Sequence, residues 1–189
     1  MTVTISGDTG ISAVQAGAVE SGDLPAGSVI QVVSTTQTER VLVSGSGTNS
    51  IGWNDITGLV LNITPTSASS KILLQAYVVV SGEDEAMFRF YKNNSTPVAI
   101  GTNTGNRTPA TAISTTDWQN GSATTSFGNL MAISHTMVHL DSPNTTNEIT
   151  YSVQAGSRST TKINRFYSDV NNYEWGSSIS SFTLMEIAG

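Results

Sequence analysis

Residues 71–80, KILLQAYVVV, are apolar on both faces of the strand they predict. Side chains alternate across a strand with a period of two. Ile72, Leu74, Ala76, Val78 and Val80 therefore share one face, while Leu73, Tyr77 and Val79 make the other apolar too. A run so rich in β-branched residues reads as strand, not loop. Such a strand needs two coverings: one from its own fold, the other from a further layer or another chain. It follows DITGLVLNI at 55–63 and the small polar turn TPTSASS at 64–70, which Pro65 opens.

The rest of the chain repeats this grammar of short strands and turns. VIQVV at 29–33 and TERVLVS at 38–44 are strand candidates, with SGSGTNS at 44–50 as loop. AMFRFYK at 86–92 alternates Phe88 and Phe90 against Met87, Arg89 and Tyr91, as a half-buried strand does. PVAIG resumes the β pattern after the NNSTP turn, and residues 101–126 read as one long loop. GNLMAISHTMVHL, EITYSVQAGS, TKINRFY and SSISSFTLMEIAG complete a set of about eight to ten strands with no amphipathic helical pattern. The reading is an all-β, antiparallel β-sandwich or jelly roll. Residues 29–189 form that domain, and residues 1–28 a short irregular arm, Gly- and Ala-rich and too light to bury much surface. The arm reads as a flexible leader or as a segment that orders against a partner chain.

Composition sets limits on function. Charged residues are 12%, against roughly 25% in an ordinary globular protein. Ser, Thr, Asn and Gly fill the difference, as in β-rich assemblies and carbohydrate-facing proteins. The net charge is −6 with no basic run, so nucleic acid has little electrostatic footing. No cysteine is present, which removes disulfides, thiolate zinc sites and cysteine nucleophiles. MTVTISGDTGISAVQ lacks the basic start and apolar core of a signal peptide. No apolar run approaches the ~20 residues of a membrane span, so no membrane insertion is expected.

An ordered set of segments carries a resemblance: ITPTSASSKILL at 63–74, LDSPNTTNEITYSVQ at 140–154, INR at 163–165, Trp175 and SSFTLMEIAG at 180–189. Together with the leader at 7–33, this order resembles tail-fibre and other virion structural proteins of tailed bacteriophages, especially those of aquatic and cyanobacterial hosts. The resemblance implies a jelly-roll-like domain at the distal end of a fibre, a homotrimer, and a location on the phage particle surface. Attachment to other virion proteins would fall to residues 1–28. Long fibres of this kind carry a shaft before the domain; the 28 residues here fit a short fibre, spike or head-mounted decoration better. The rival readings are a capsid decoration protein without a receptor role and a free carbohydrate-binding module.

Several side chains invite a sharper chemistry. Arg107, Asp117 and Trp118 sit in the loop at 101–126, and Tyr173 in the loop at 168–178. Aromatic faces stack on sugar rings, and Arg, Asp and Asn bond their hydroxyls, so these four are the receptor or glycan candidates. Trp118 and Tyr173 read equally well as packing residues, and Trp175 reads as a plug at the end of the sandwich. His135 and His139 are four apart; on a strand that separates them by about 13 Å, too far for one ion. Glu83, Asp84 and Glu85 read as a solvated turn, without the spacing of a calcium loop. Asp117, Asp169 and Glu174 could supply a glycosidase pair, yet a chain with 14 carboxylates places two in loops by chance. No nucleophile elbow, phosphate loop or zinc-protease motif occurs. The expectation is a non-enzymatic protein with no metal and no cofactor.

Overall fold

The structure is a computed structural model and describes residues 21–46, 50–82, 86–114, 132–158, 160–165 and 176–189. Its strands are β1 (Val29–Gln37), β2 (Val41–Val43), β3 (Gly52–Ile63), β4 (Lys71–Gly82), β5 (Ala86–Lys92), β6 (Thr96–Val98), β7 (Ala112–Ser114), β8 (Ile133–Asp141), β9 (Ile149–Ser157), β10 (Thr161–Ile163) and β11 (Ser180–Ile187). All their pairings are antiparallel. They form two sheets packed as a β-sandwich. In the first, β8 lies on one side of β4; β11 and then β10 share its other side, and β1 and β2 complete that edge. In the second the order is β3, β9, β5, with β6 and β7 sharing the outer side of β5.

The core follows the alternation in the sequence. Ile72, Leu74, Ala76, Val78 and Val80 are fully buried, and they face Phe88, Phe90, Tyr151, Val153 and Ala155 of the second sheet within one cluster. Phe90 and Phe182 stack across the two layers, with centroids 5.9 Å apart. Burying a large apolar side chain contributes roughly 1.5–3 kcal/mol, so this cluster dominates the stability of the fold.

Three local features depart from the simple strand reading. β3 runs over residues 55–60 while β9 runs only over 154–152, so a bulge inserts extra residues into β3. The bulge drives both Ile56 and Leu59 into the core and turns Gly58 to a φ of 87°. It also aims carbonyls sideways at β1: Gln37 Nε2 donates to Thr57 O at 2.7 Å and Thr35 Oγ1 to Gly58 O at 3.1 Å. That side of the sandwich is therefore closed by side chains and not by a ladder. Second, the 101–126 stretch is not all loop, because Ala112–Ser114 pairs with β5. Three residues are too few to show a period. Third, the TKINRFY strand stops after Ile163, where Asn164 turns to a φ of 63°.

The opposite side is closed by a polar clasp. Lys92 Nζ on β5 and Tyr151 Oη on β9 both donate to Asp141 Oδ2 on β8, at 2.8 and 2.6 Å. The clasp joins the two sheets. Burial alone would raise the pKa of Asp141, but the hydrogen bonds from Lys92 and Tyr151 and the nearby positive charge outweigh it and lower it. Burial, and then the facing carboxylate, push the Tyr151 phenol well up, so it stays a donor. Asp141→Ala would strand the Tyr151 hydroxyl in the core, and we expect a loss of about 2 kcal/mol in urea unfolding. Because the folded pKa of Asp141 is lowered, its stabilisation is present above the ordinary carboxylate range and fades as pH falls through the folded value.

The turn at 64–70 is held from below. Glu186, at an inward position of β11, has no solvent exposure. Its Oε1 accepts from the Thr66 backbone amide and hydroxyl, both at 2.7 Å, and its Oε2 from Gln31 Nε2 at 2.6 Å. The bland turn is thus the lid over a buried carboxylate.

Of the arm, residues 25–28 join the first sheet: Gly27 N donates to Ala188 O, and Ala188 N to Ser28 O, each at 2.8 Å. Residues 1–20 lie outside the described residues.

Candidate functional site

The two outer faces of the sandwich differ in chemistry. On the second sheet, one row runs Trp53, Gly156, Met87, Ile113 across β3, β9, β5 and β7. The next row runs Asp55, Gln154, Arg89. Gly156 is required here because a Cβ would come within 2.7 Å of Ile51 Cγ2 and of the Trp53 ring. The indole therefore lies down across the sheet.

Arg89 is clamped beside it. Its guanidinium carbon stands 4.1 Å from the Trp53 ring centroid and 4.8 Å from that of Tyr91. Arg89 Nε donates to Gln154 Oε1 at 2.8 Å; Gln154 Nε2 and Ser152 Oγ in turn donate to Asp55 Oδ1, at 3.0 and 2.7 Å. Gln154 is only 7% exposed, so the hydrogen bond that orients Arg89 is sheltered from water. Burial lowers the pKa of Arg89 from its ordinary value, with Tyr91 and Asp55 acting the other way. A guanidinium keeps its charge in such surroundings. The result is a fixed cation with aromatic walls.

Next to this clamp is a groove of about 480 Å³. Ile51, Met87 and Ile113 supply its apolar part, and Asn106, Arg107 and Arg158 its polar part. Met87 and Arg89 are two residues apart on one face of β5, roughly 7 Å along the strand. Groove and clamp are therefore neighbours on one continuous surface.

Of the sequence candidates, the structure places Arg107 in this groove, exposed, on the segment between β6 and β7. Asp117, Trp118 and Tyr173 lie outside the described residues, as do Asp169, Glu174, Trp175 and the turn Glu83, Asp84, Glu85. Trp53, Arg89 and Tyr91 were missed as a site. The alternation of AMFRFYK already put Arg89 and Tyr91 on the outward face, but nothing local shows that Trp53 comes to meet them.

His135 and His139 both lie on β8, as the strand reading requires. His135 packs against Phe88, centroids 5.3 Å apart; burial lowers its pKa, and its Nε2 is buried without a hydrogen-bond partner among the described residues. Among the described residues no cluster of three or more His, Asp or Glu side chains could hold a metal ion. No helix among them is long and apolar enough to cross a membrane.

Neither the known protein families nor the curated proteins contain a match to this chain. Function is accordingly argued from the two faces.

On the first sheet, Val32, Met185, Leu73 and Leu140 pair directly across β1, β11, β4 and β8. This apolar row crosses four of the sheet's six strands. Val32 is 56% exposed and Leu140 45%. Val138 and Tyr77 flank it and are also exposed.

Proposed function

We propose that this chain is a bacteriophage virion structural protein: a short trimeric fibre or spike that adheres to glycans on the host surface. The ordered motifs that resemble phage fibre proteins support this reading. The observation that carries it is the apolar row Val32–Met185–Leu73–Leu140. Apolar side chains gathered in one row, with Val32 and Leu140 exposed, suit an interaction surface. The occupant is a second copy of the same chain. Across the strands of this face the charged side chains among the described residues are Lys71, at the start of β4, and Lys162, which pairs with Ser81 near the far end of β4. Identical copies can therefore meet without like charges at the centre, where such a pairing would be costly. Residues 1–28 would attach the assembly to other virion proteins. The opposite face, with Arg89 and the Arg107 groove, would point outward. Adhesion then comes from several weak contacts gaining avidity by linkage.

The mass of the full-length protein in solution, by light scattering, tests the reading. The expected result is a trimer that Leu73→Lys or Leu140→Lys converts to a folded monomer. Both side chains project away from the core, so neither change should unfold the domain. A wild-type monomer at micromolar concentration would sink the fibre reading and favour a decoration protein that assembles only on a capsid lattice.

A further inference from the structure

We infer that the outer face of the second sheet binds anionic saccharides, carboxylated or sulfated, with Arg107 and Arg89 as the anion contacts. The inference rests on the adhesion reading and specifies its ligand. The chain carries 14 acidic and 8 basic side chains, yet among the described residues the groove is lined by Arg107 and Arg158 and by no carboxylate. In a protein of net charge −6 that local inversion in the groove favours an anion; the carboxylate in the Arg89 row, Asp55, already accepts from Ser152 and Gln154. A guanidinium fork matches a carboxylate or sulfate in two parallel hydrogen bonds, which a hydroxyl cannot reproduce.

The apolar groups decide in favour of a sugar. Ile51, Met87 and Ile113 offer the groove a surface for the C–H face of a pyranose, and Asn106 offers an amide for its hydroxyls. A volume of about 480 Å³ falls within the ~300–1,000 Å³ of small-ligand sites. The Arg89 clamp lies one step along β5 from Met87, so a ligand of two or more residues reaches both cations. Arg89 is already ordered by Trp53, Tyr91 and Gln154, so binding costs little side-chain entropy there. A nucleic acid would need a longer basic track than this face provides.

The test is calorimetric titration of the full-length protein with three probes. They are a tetragalacturonate, a sulfated carrageenan tetrasaccharide, and the carboxyl-reduced neutral form of the first. At least one anionic probe should bind with a Kd below a millimolar, weaken as salt rises, and lose at least tenfold in Arg107→Ala with Arg107→Lys intermediate. Arg107 is exposed on a loop, so the melting temperature of the variant should match wild type. Which anionic probe binds better separates carboxylate from sulfate recognition. Equal binding of the neutral probe would overturn the anion inference while leaving glycan adhesion standing. Binding unaffected by Arg107→Ala would overturn the site. Failure of all three probes would overturn the inference, while the solution mass decides separately on the fibre.

Discussion

Glu186→Ala should cost about 2–3 kcal/mol, the scale for losing hydrogen bonds to a charged acceptor. The reason is what remains behind. The Thr66 amide, the Thr66 hydroxyl and Gln31 Nε2 all point at the missing carboxylate. Thr66 is exposed and Gln31 half-buried, so water can reach these donors and each loss stays near the low end of the roughly 1–3 kcal/mol of an unpaired buried donor. The turn at 64–70 would also lose its tie to β11. Glu186→Gln is the finer probe. Its Oε1 can still accept from Thr66, but its amide nitrogen would face the Gln31 amide nitrogen across 2.6 Å. Flipping Gln31 does not help, because its Nε2 also donates to Thr64 O at 2.8 Å. A loss of about 2 kcal/mol is expected, read from the midpoint of urea unfolding.

The same residue sets an acid limit. Burial would raise the Glu186 pKa, but the dipoles of Ser70, Gln31 and Thr66 turned towards it lower it on balance. The Ser70 hydroxyl makes no hydrogen bond of ordinary geometry, so it acts as a nearby dipole only. With the folded pKa below the unfolded one, the unfolded chain binds the proton first as pH falls. Stability is full above the ordinary carboxylate range, near pH 4, and declines as pH drops through the folded value. Glu186→Gln should flatten much of that slope, leaving the part that Asp141 contributes. An unchanged slope would mean the carboxylate is protonated or solvated in the native protein.

How much of this could be read from the chain depends on distance in sequence. The two-faced character of KILLQAYVVV was legible because the period of two is local, and both faces are found where alternation puts them. Glu186 shares the parity of Phe182 and Leu184 on β11 and, like them, is buried. A charged residue at such a position demands partners, yet its partners lie 120 and 155 residues away, so only the register of β1, β4 and β11 reveals them. The Arg89 clamp was half legible. Tyr91 and Arg89 share a face by alternation, but Trp53 reaches them across β9 only in a register that the β3 bulge resets. Extra residues inside a strand break the period, so no pattern in the sequence shows where the count resumes. The loop candidates followed a different rule, that aromatics in polar loops are exposed. Arg107, the described member of that set, does reach the groove.

Asn164 presents the other large effect, and here two variants divide the cause. Its side chain is buried, with Nδ2 donating to Gln37 O at 2.7 Å and to Glu39 O at 3.2 Å. Its Oδ1 accepts from Ser180 Oγ at 2.6 Å, and Ser180 Oγ in turn accepts from Val79 N at 3.1 Å. One amide thus ties the β1–β2 connection, β4 and β11 together at the point where β10 ends. Its backbone sits at a φ of 63°, a left-handed conformation that Asn tolerates better than other side-chain-bearing residues. Asn164→Ala loses the amide and keeps a Cβ in that conformation; about 3–4 kcal/mol is expected from stranded acceptors plus strain. Asn164→Gly loses the same hydrogen bonds but relaxes the backbone, so it should be milder by about 1 kcal/mol. Urea unfolding of both variants separates the terms. If glycine and alanine destabilise equally, the backbone is unstrained and the amide network alone holds the junction. If glycine restores wild-type stability, the hydrogen bonds contribute nothing net and the conformation is what the sequence protects. The expected intermediate result assigns Asn164 both roles, which no other side chain combines: a left-handed backbone and an amide able to donate twice and accept once.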